Sequence, residues 1–176
     1  MLSGLNRRFA WALCALPAMA MLAQLVLAEP PSAASPAATV SAEAAPGSSL
    51  LMRKFNLPAV DKSSRLDVIY LGSEDCHFCQ QWEFGSRVKL LESREARAFS
   101  FHEIKNDTLA KPITAGDYPA GLQWVYKQVG ATRGVPRFLL AIDGRVVMNS
   151  FGTGQYRRNF LPVLNEVVRV SGKAGT

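Results

Sequence analysis

Hydrophobic side chains along this chain recur with different periods, and the periods mark the elements. Leu66-Asp67-Val68-Ile69-Tyr70-Leu71 is apolar at nearly every position, which suits a central strand covered on both faces. From Cys76 onward, Phe78, Trp82, Val88, Leu91 and Ala98 are expected along one helix that Gly85 weakens or bends. Phe99-Ser100-Phe101-His102-Glu103-Ile104 alternates apolar and polar and predicts a second strand. A short helix is expected over residues 122–129, carrying Trp124, Val125 and Val129. Residues 138–142 and 145–148 flank Asp143-Gly144, the turn chemistry of a two-residue hairpin. A last helix over residues 155–170 sets Phe160, Leu164, Val167 and Val168 toward a core, with Pro162 near its start or kinking it. Residues 171–176 read as a frayed tail.

The stretches without such patterning divide the chain. Residues 106–121 hold Pro112, Gly116, Pro119 and Gly121 and predict a long irregular connection, either functional or a tolerated insertion. Residues 50–57 are amphipathic at best, a short helix or the approach to a strand, and Pro58 ends them. Residues 29–49 are mostly Ala, Pro and Ser, too poor in large side chains to offset the entropy of ordering, and predict a flexible linker. At the N-terminus, Arg7 and Arg8 precede an apolar stretch over residues 9–27, and Val26-Leu27-Ala28 offers a cleavage site. Residues 1–28 therefore read as an export signal. The stretch is also long enough for an uncleaved membrane anchor, and the linker then becomes a tether. The residues around Arg7-Arg8 fit a twin-arginine signal poorly. The expected organisation is signal or anchor 1–28, linker 29–49, one domain over 50–172 and a tail over 173–176.

Charge narrows the function classes. Without Arg7 and Arg8, 18 basic face 14 acidic side chains, a net charge of +4 with no basic block. Nothing in that distribution argues for nucleic acid; a mild preference for acidic surfaces is as far as it goes. Cys14 lies inside the apolar stretch, with no convincing lipoprotein site before it, and reads as a small apolar filler. Only Cys76 and Cys79 remain beyond residue 28. A loop closed over two intervening residues removes little unfolded-state entropy, so the pair is a poor structural staple. A zinc site wants four ligands, and the other candidates are His77, wedged between the cysteines, and His102. Redox chemistry is the reading that remains, with no metal and no cofactor.

The strand-to-helix junction suits that chemistry. Free backbone N–H groups at a helix N-terminus stabilise a thiolate, so Cys76, expected to be exposed, is the nucleophile. Cys79, one turn on and more buried, resolves the mixed disulfide. His77 either tunes the Cys76 thiolate when protonated or is a solvated spacer, while Glu74 and Asp75 push the thiolate the other way. Phe78 is a candidate apolar contact for partners, Trp82 is expected in the core, and His102 is expected as a half-exposed strand residue.

Two segments carry a family resemblance. Cys76-His77-Phe78-Cys79 at a strand-to-helix junction is one, and the run from Gly130 through Val135-Pro136 to Val146 is the other. Together with the last helix, residues 60–170 resemble the thioredoxin superfamily. The resemblance implies an α/β thioredoxin fold, a central mixed β-sheet flanked by helices, after the N-terminal signal or anchor and linker. It implies a cis peptide bond before Pro136, with Val135 offering its backbone to the partner and Pro136 shaping the groove. It further implies exchange with protein thiols and disulfides in the periplasm, or from a tether on the inner membrane facing it. The small size favours a reductase recycled by a membrane electron-transfer protein. A dithiol oxidase of the same fold, or a non-catalytic binding or assembly module using the 106–121 loop, stays open. Three positions depart from the pattern. Tyr70 stands where many members bury a carboxylate that relays protons to the second cysteine, and Asp67 lies elsewhere on the strand. Asp75 stands where Trp is frequent, and Arg137 where Thr is.

Overall fold

The computed structural model describes residues 49–173. The expected signal or anchor, the linker up to residue 48 and the last three residues lie outside them. A short helix α1 (Leu50–Lys54) opens the described chain, with the Ser49 hydroxyl accepting from the Met52 N–H at its N-terminus. Strand β1 (Leu66–Ser73) follows, then helical turns comprising α2 (His77–Trp82), a π-turn (Glu83–Arg87), α3 (Val88–Glu92) and a 3-10 turn (Arg94–Ala98). Next come β2 (Ser100–Asn106), two 3-10 turns (Ala115–Asp117 and Ala120–Leu122), α4 (Gln123–Val129), β3 (Arg137–Ile142) and β4 (Arg145–Phe151). The chain closes through α5 (Gly152–Gln155), a π-turn (Tyr156–Phe160) and α6 (Leu161–Val170).

The sheet order is β2-β1-β3-β4, with β1 parallel to β2 and antiparallel to β3, and β3 antiparallel to β4. This order, with helices on both faces, is the thioredoxin fold. Every residue of β1 is buried, because it is an inner strand between two cores. Leu66, Val68 and Tyr70 face one core with Phe138, Leu140, Ile142 and the helices α1, α2 and α6. Ile69 and Leu71 face the other with Leu139, Ala141, Val125, Ile113 and Tyr118. That two-sided burial explains why the strand reads as an unbroken apolar run; each fully buried aliphatic side chain contributes about 1.5–3 kcal/mol. The hairpin turns at Asp143 and Gly144, both at positive φ (50° and 78°), as a tight two-residue turn requires.

The structure differs most from the expected elements in four places, besides β2 and β4 running on to Asn106 and Phe151. Strand β1 runs on through Gly72 and Ser73, because β2 pairs alongside them at Lys105 and Asn106. A Cβ on Gly72 would meet the Tyr70 hydroxyl at 2.6 Å, so glycine there is a close-approach residue and not a loop breaker. The helix after Cys76 is interrupted by the π-turn that contains Gly85, and its core residues are Cys79, Trp82 and Leu90. Phe78, Val88 and Leu91 are exposed, since six residues from Trp82 to Val88 is not a helical interval and turns Val88 to solvent. The last helical run begins at Gly152, three residues early, and widens into a π-turn just before Pro162, whose ring cannot donate to the preceding turn. The tail is not frayed at its start: Ser171 is buried, its hydroxyl bonds to the Val168 carbonyl, and the Lys173 ammonium reaches the Ser64 carbonyl.

Candidate functional site

The C-terminal end of β1 delivers the cysteines. Cys76 is the N-cap of α2 in extended conformation, and its Sγ accepts the Cys79 backbone N–H at 3.1 Å. Cys76 and Cys79 are joined in a disulfide with their Cα atoms 5.1 Å apart. Across from it the Val135–Pro136 bond is cis, and the Val135 carbonyl oxygen lies 3.9 Å from the Cys76 Sγ. The Pro136 carbonyl accepts the Gly152 N–H at 2.8 Å, which ties this loop to the start of α5. Arg137 anchors it further, donating to the carbonyls of Gly134 (2.9 Å) and Arg133 (3.0 Å) while its guanidinium covers the Phe151 ring.

One expectation needs correcting. Cys76 was expected to be exposed, yet it is 2 % exposed in the disulfide form, and Cys79 is fully buried. The first sulfur lies at the surface end of the sheet between exposed neighbours, but it packs into the core with Val135 against it. His77 is exposed, and its Nε2 accepts a hydrogen bond from the Gln81 side-chain amide N–H at 3.0 Å, a contact along its own helix. Phe78 stands 62 % exposed beside the disulfide. Trp82, the last residue of α2, is buried in an aromatic stack with Tyr70 (centroids 4.5 Å), Phe138 (4.8 Å) and Tyr156 (5.4 Å). Burial there pushes the Tyr156 phenol up to about 12.

The residue that inspection of the sequence missed is Glu83. It lies one turn beyond Cys79, its backbone N–H donating to the Cys79 carbonyl, and it is buried. The Tyr70 hydroxyl donates to Glu83 Oε1 at 2.8 Å, and the Lys105 ammonium reaches Oε2 at 3.3 Å and Glu74 at 3.0 Å. Burial, then the bond to Glu83, raises the Tyr70 pKa far above the ordinary phenol value, so Tyr70 remains a donor. Burial opposes the charge of Lys105, but the carboxylates of Glu74 and Glu83 outweigh it and hold its pKa above the usual value. A charged residue four positions after a core cysteine on one helix face was the available signal. Lys105 had none. The position that lacks a carboxylate, Tyr70, thus hydrogen-bonds to one supplied by the helix.

Asp67 and His102 lie at the other end of β1, where His102 Nε2 meets Asp67 Oδ1 at 3.0 Å; they take no part in this site. Among the described residues no group of three or more His, Cys, Asp or Glu side chains is placed to hold a metal ion.

No protein-family model matches the chain, and no curated protein matches it in sequence. Among solved structures it is similar to the periplasmic thioredoxin SoxS from Paracoccus pantotrophus, at 16 % identity over 60 % of this chain and 98 % of that one (TM-score 0.42). It is also similar to a thioredoxin of Malassezia sympodialis, at 14 % identity over 59 % of this chain and 76 % of that one (TM-score 0.42). Thioredoxin f of spinach chloroplast is similar at 17 % identity over 60 % of this chain and 79 % of that one (TM-score 0.40).

Proposed function

We propose that the chain is an exported thiol–disulfide oxidoreductase that reduces disulfides in partner proteins. The observation that carries this reading is the Cys76–Cys79 disulfide at a helix N-terminus, facing the Val135 carbonyl beside the cis bond to Pro136. In the reduced pair, the Cys76 thiolate attacks one sulfur of the partner disulfide, and the electron pair of the broken S–S bond leaves on the other sulfur, which takes up a proton. Cys79 then gives up its proton and attacks the Cys76 sulfur, releasing the partner's second thiolate, which is protonated in turn. The partner gains two electrons and two protons, and the Cys76–Cys79 disulfide is the oxidised product. A dithiol on a membrane electron-transfer protein returns it to the reduced form. The direction is supported by the connection between β2 and α4, which holds two short 3-10 turns and no helical insertion. Export to the periplasm is supported by Arg7, Arg8 and the apolar stretch over residues 9–27, which either is removed or stays as the anchor. Among the described residues no helix is long and apolar enough to cross a membrane.

A second reading, a binding module whose disulfide only braces the helix start, draws on the shielding of Cys76. The full chain separates the two. An oxidoreductase accelerates insulin reduction by dithiothreitol, and its Cys79→Ser variant accumulates mixed disulfides through Cys76. Absence of both leaves the binding module. The reduction potential sets the direction: a value near −270 mV marks a thioredoxin-like reductase, and one near −120 mV an oxidase.

A further inference from the structure

We infer that residues 108–111 form a selecting wall of the disulfide site, held in place by Asp75, and that this wall takes an apolar side chain next to the reacting cysteine of a partner polypeptide. The inference rests on the thiol–disulfide reading and narrows its substrate class. Asp75 immediately precedes Cys76, and its carboxylate accepts three hydrogen bonds: from the Ser73 hydroxyl (2.7 Å), the Thr108 hydroxyl (2.9 Å) and the Leu109 N–H (2.8 Å). The Thr108 hydroxyl accepts the Ala110 N–H in turn. From the opposite side Arg133, in the loop that leads to Pro136, donates to the Ala110 carbonyl at 3.4 Å. One short segment is therefore fastened to both loops that flank the disulfide.

An open polar cavity of about 360 Å³ adjoins this segment, lined by Lys105, Asp107, Thr108, Lys111 and Asp117 among others. A segment bordering solvent-sized space has little packing to hold it, so hydrogen bonds set its place: those to Asp75 and from Arg133, with the Asn106 amide donating to the Lys111 carbonyl at 3.0 Å at its far end. Leu109, the residue the clamp fixes, is 50 % exposed. Phe78, two residues after Cys76 on α2, is exposed as well, and Phe151, 54 % exposed, lies against Gly134 beside the cis-proline loop. Three separate elements thus set exposed apolar side chains on residues next to, or bonded to, those that flank the shielded disulfide, and apolar side chains so grouped offer a contact surface. A polypeptide whose cysteine reaches Cys76 lays its flanking residue on this surface. An open surface discriminates less than an enclosed pocket, where an added methylene is worth tenfold or more; about fivefold between an apolar and a serine neighbour is the expected scale.

The test uses the reduced full chain with two disulfide-linked peptide pairs, one with Phe and one with Ser beside the cysteine, and a small aromatic disulfide as reference. The wild-type chain should reduce the Phe peptide about fivefold faster than the Ser peptide. Leu109→Ser and Asp75→Ala should each bring that ratio toward one, and Leu109→Met should restore it. Asp75 acts as a positioning residue, so its loss should raise KM for the Phe peptide more than it lowers kcat. A wild-type ratio near one, or a ratio unmoved by either substitution, overturns the wall. Failure of the wild-type chain to react even with the small disulfide overturns the redox reading itself, and the wall with it.

Discussion

Strand β1 has a buried carboxylate near each end, and the two differ in what surrounds them. Near its start Asp67 is held by Arg65 Nε and His102 Nε2, each at 3.0 Å. Arg65 is 61 % exposed and His102 half-buried, so both partners reach water. Near its end Glu83 is held by Tyr70, which is fully buried, and by Lys105, only 18 % exposed. Both carboxylates gain charge-assisted hydrogen bonds. Only at the second would removal of the carboxylate strand a partner that cannot turn to solvent, the Tyr70 hydroxyl, while Lys105 keeps Glu74. The same pairing thus closes a sheet end at one place and builds a covered polar floor beside the cysteine-bearing helix at the other.

Stability measures that contrast most strongly. Glu83→Ala should cost about 2–3 kcal/mol in urea unfolding, because it leaves the Tyr70 hydroxyl buried and unpaired and the Lys105 charge with Glu74 as its remaining partner. Asp67→Ala should cost about 1–2 kcal/mol, since Arg65 and His102 rehydrate. A larger loss at Asp67 than at Glu83 would mean that solvent access does not separate the two networks.

The contrast was only half visible in the sequence. The apolar run of β1, the Asp143-Gly144 hairpin and the buried face of α6 were legible because one residue type dominates each at a fixed period. Cys76, Cys79 and the Val135-Pro136 loop were legible because few residue types suit those places. Glu83 was hidden inside a helix read as continuous, where π-turn packing and Lys105 from a strand 22 positions on decide its surroundings. Asp75 was read only as a charge near a sulfur. Its bonds to Thr108 and Leu109 span more than thirty residues, and no local pattern encodes them. The shielding of Cys76 escaped for the same reason, since the Val135 that packs against it lies 59 positions further along the chain.

The reduction potential sharpens the comparison next. Removing a negative charge one turn from Cys79 favours the thiolate, lowers the thiol pKa and makes the pair more oxidising. Glu83→Gln should therefore raise the potential, by about 30 mV for each 1.4 kcal/mol of thiolate stabilisation. Asp67→Asn should leave it in place. Six residues of strand, roughly 20 Å, separate Asp67 from Ser73, well beyond the screening length of about 8 Å at physiological salt. Equal shifts in the two variants would show that Glu83 acts through fold stability alone.

Asp75 gives the smallest effect, because it carries its charge in solvent, where neither buried network does. The hydrogen bond from the Ser73 hydroxyl is the largest influence and lowers its pKa; burial, next in size, opposes it, and the bonds from the Thr108 hydroxyl and the Leu109 N–H help hold the carboxyl below the usual carboxylate value. A carboxylate whose pKa is lowered on folding contributes stability that is fully present above the unfolded value. That contribution fades as the pH falls through the lower, folded one. The clamp on residues 108–111 should therefore be intact throughout the neutral range and loosen only in acid. The amide proton of Leu109 reports this directly: its NMR shift should titrate with a midpoint below the ordinary 3.8, and Asp75→Asn should abolish the titration. A midpoint at or above that value would mean that the three hydrogen bonds do not persist in solution, and the segment beside the disulfide would then be held by Arg133 and Asn106 without Asp75.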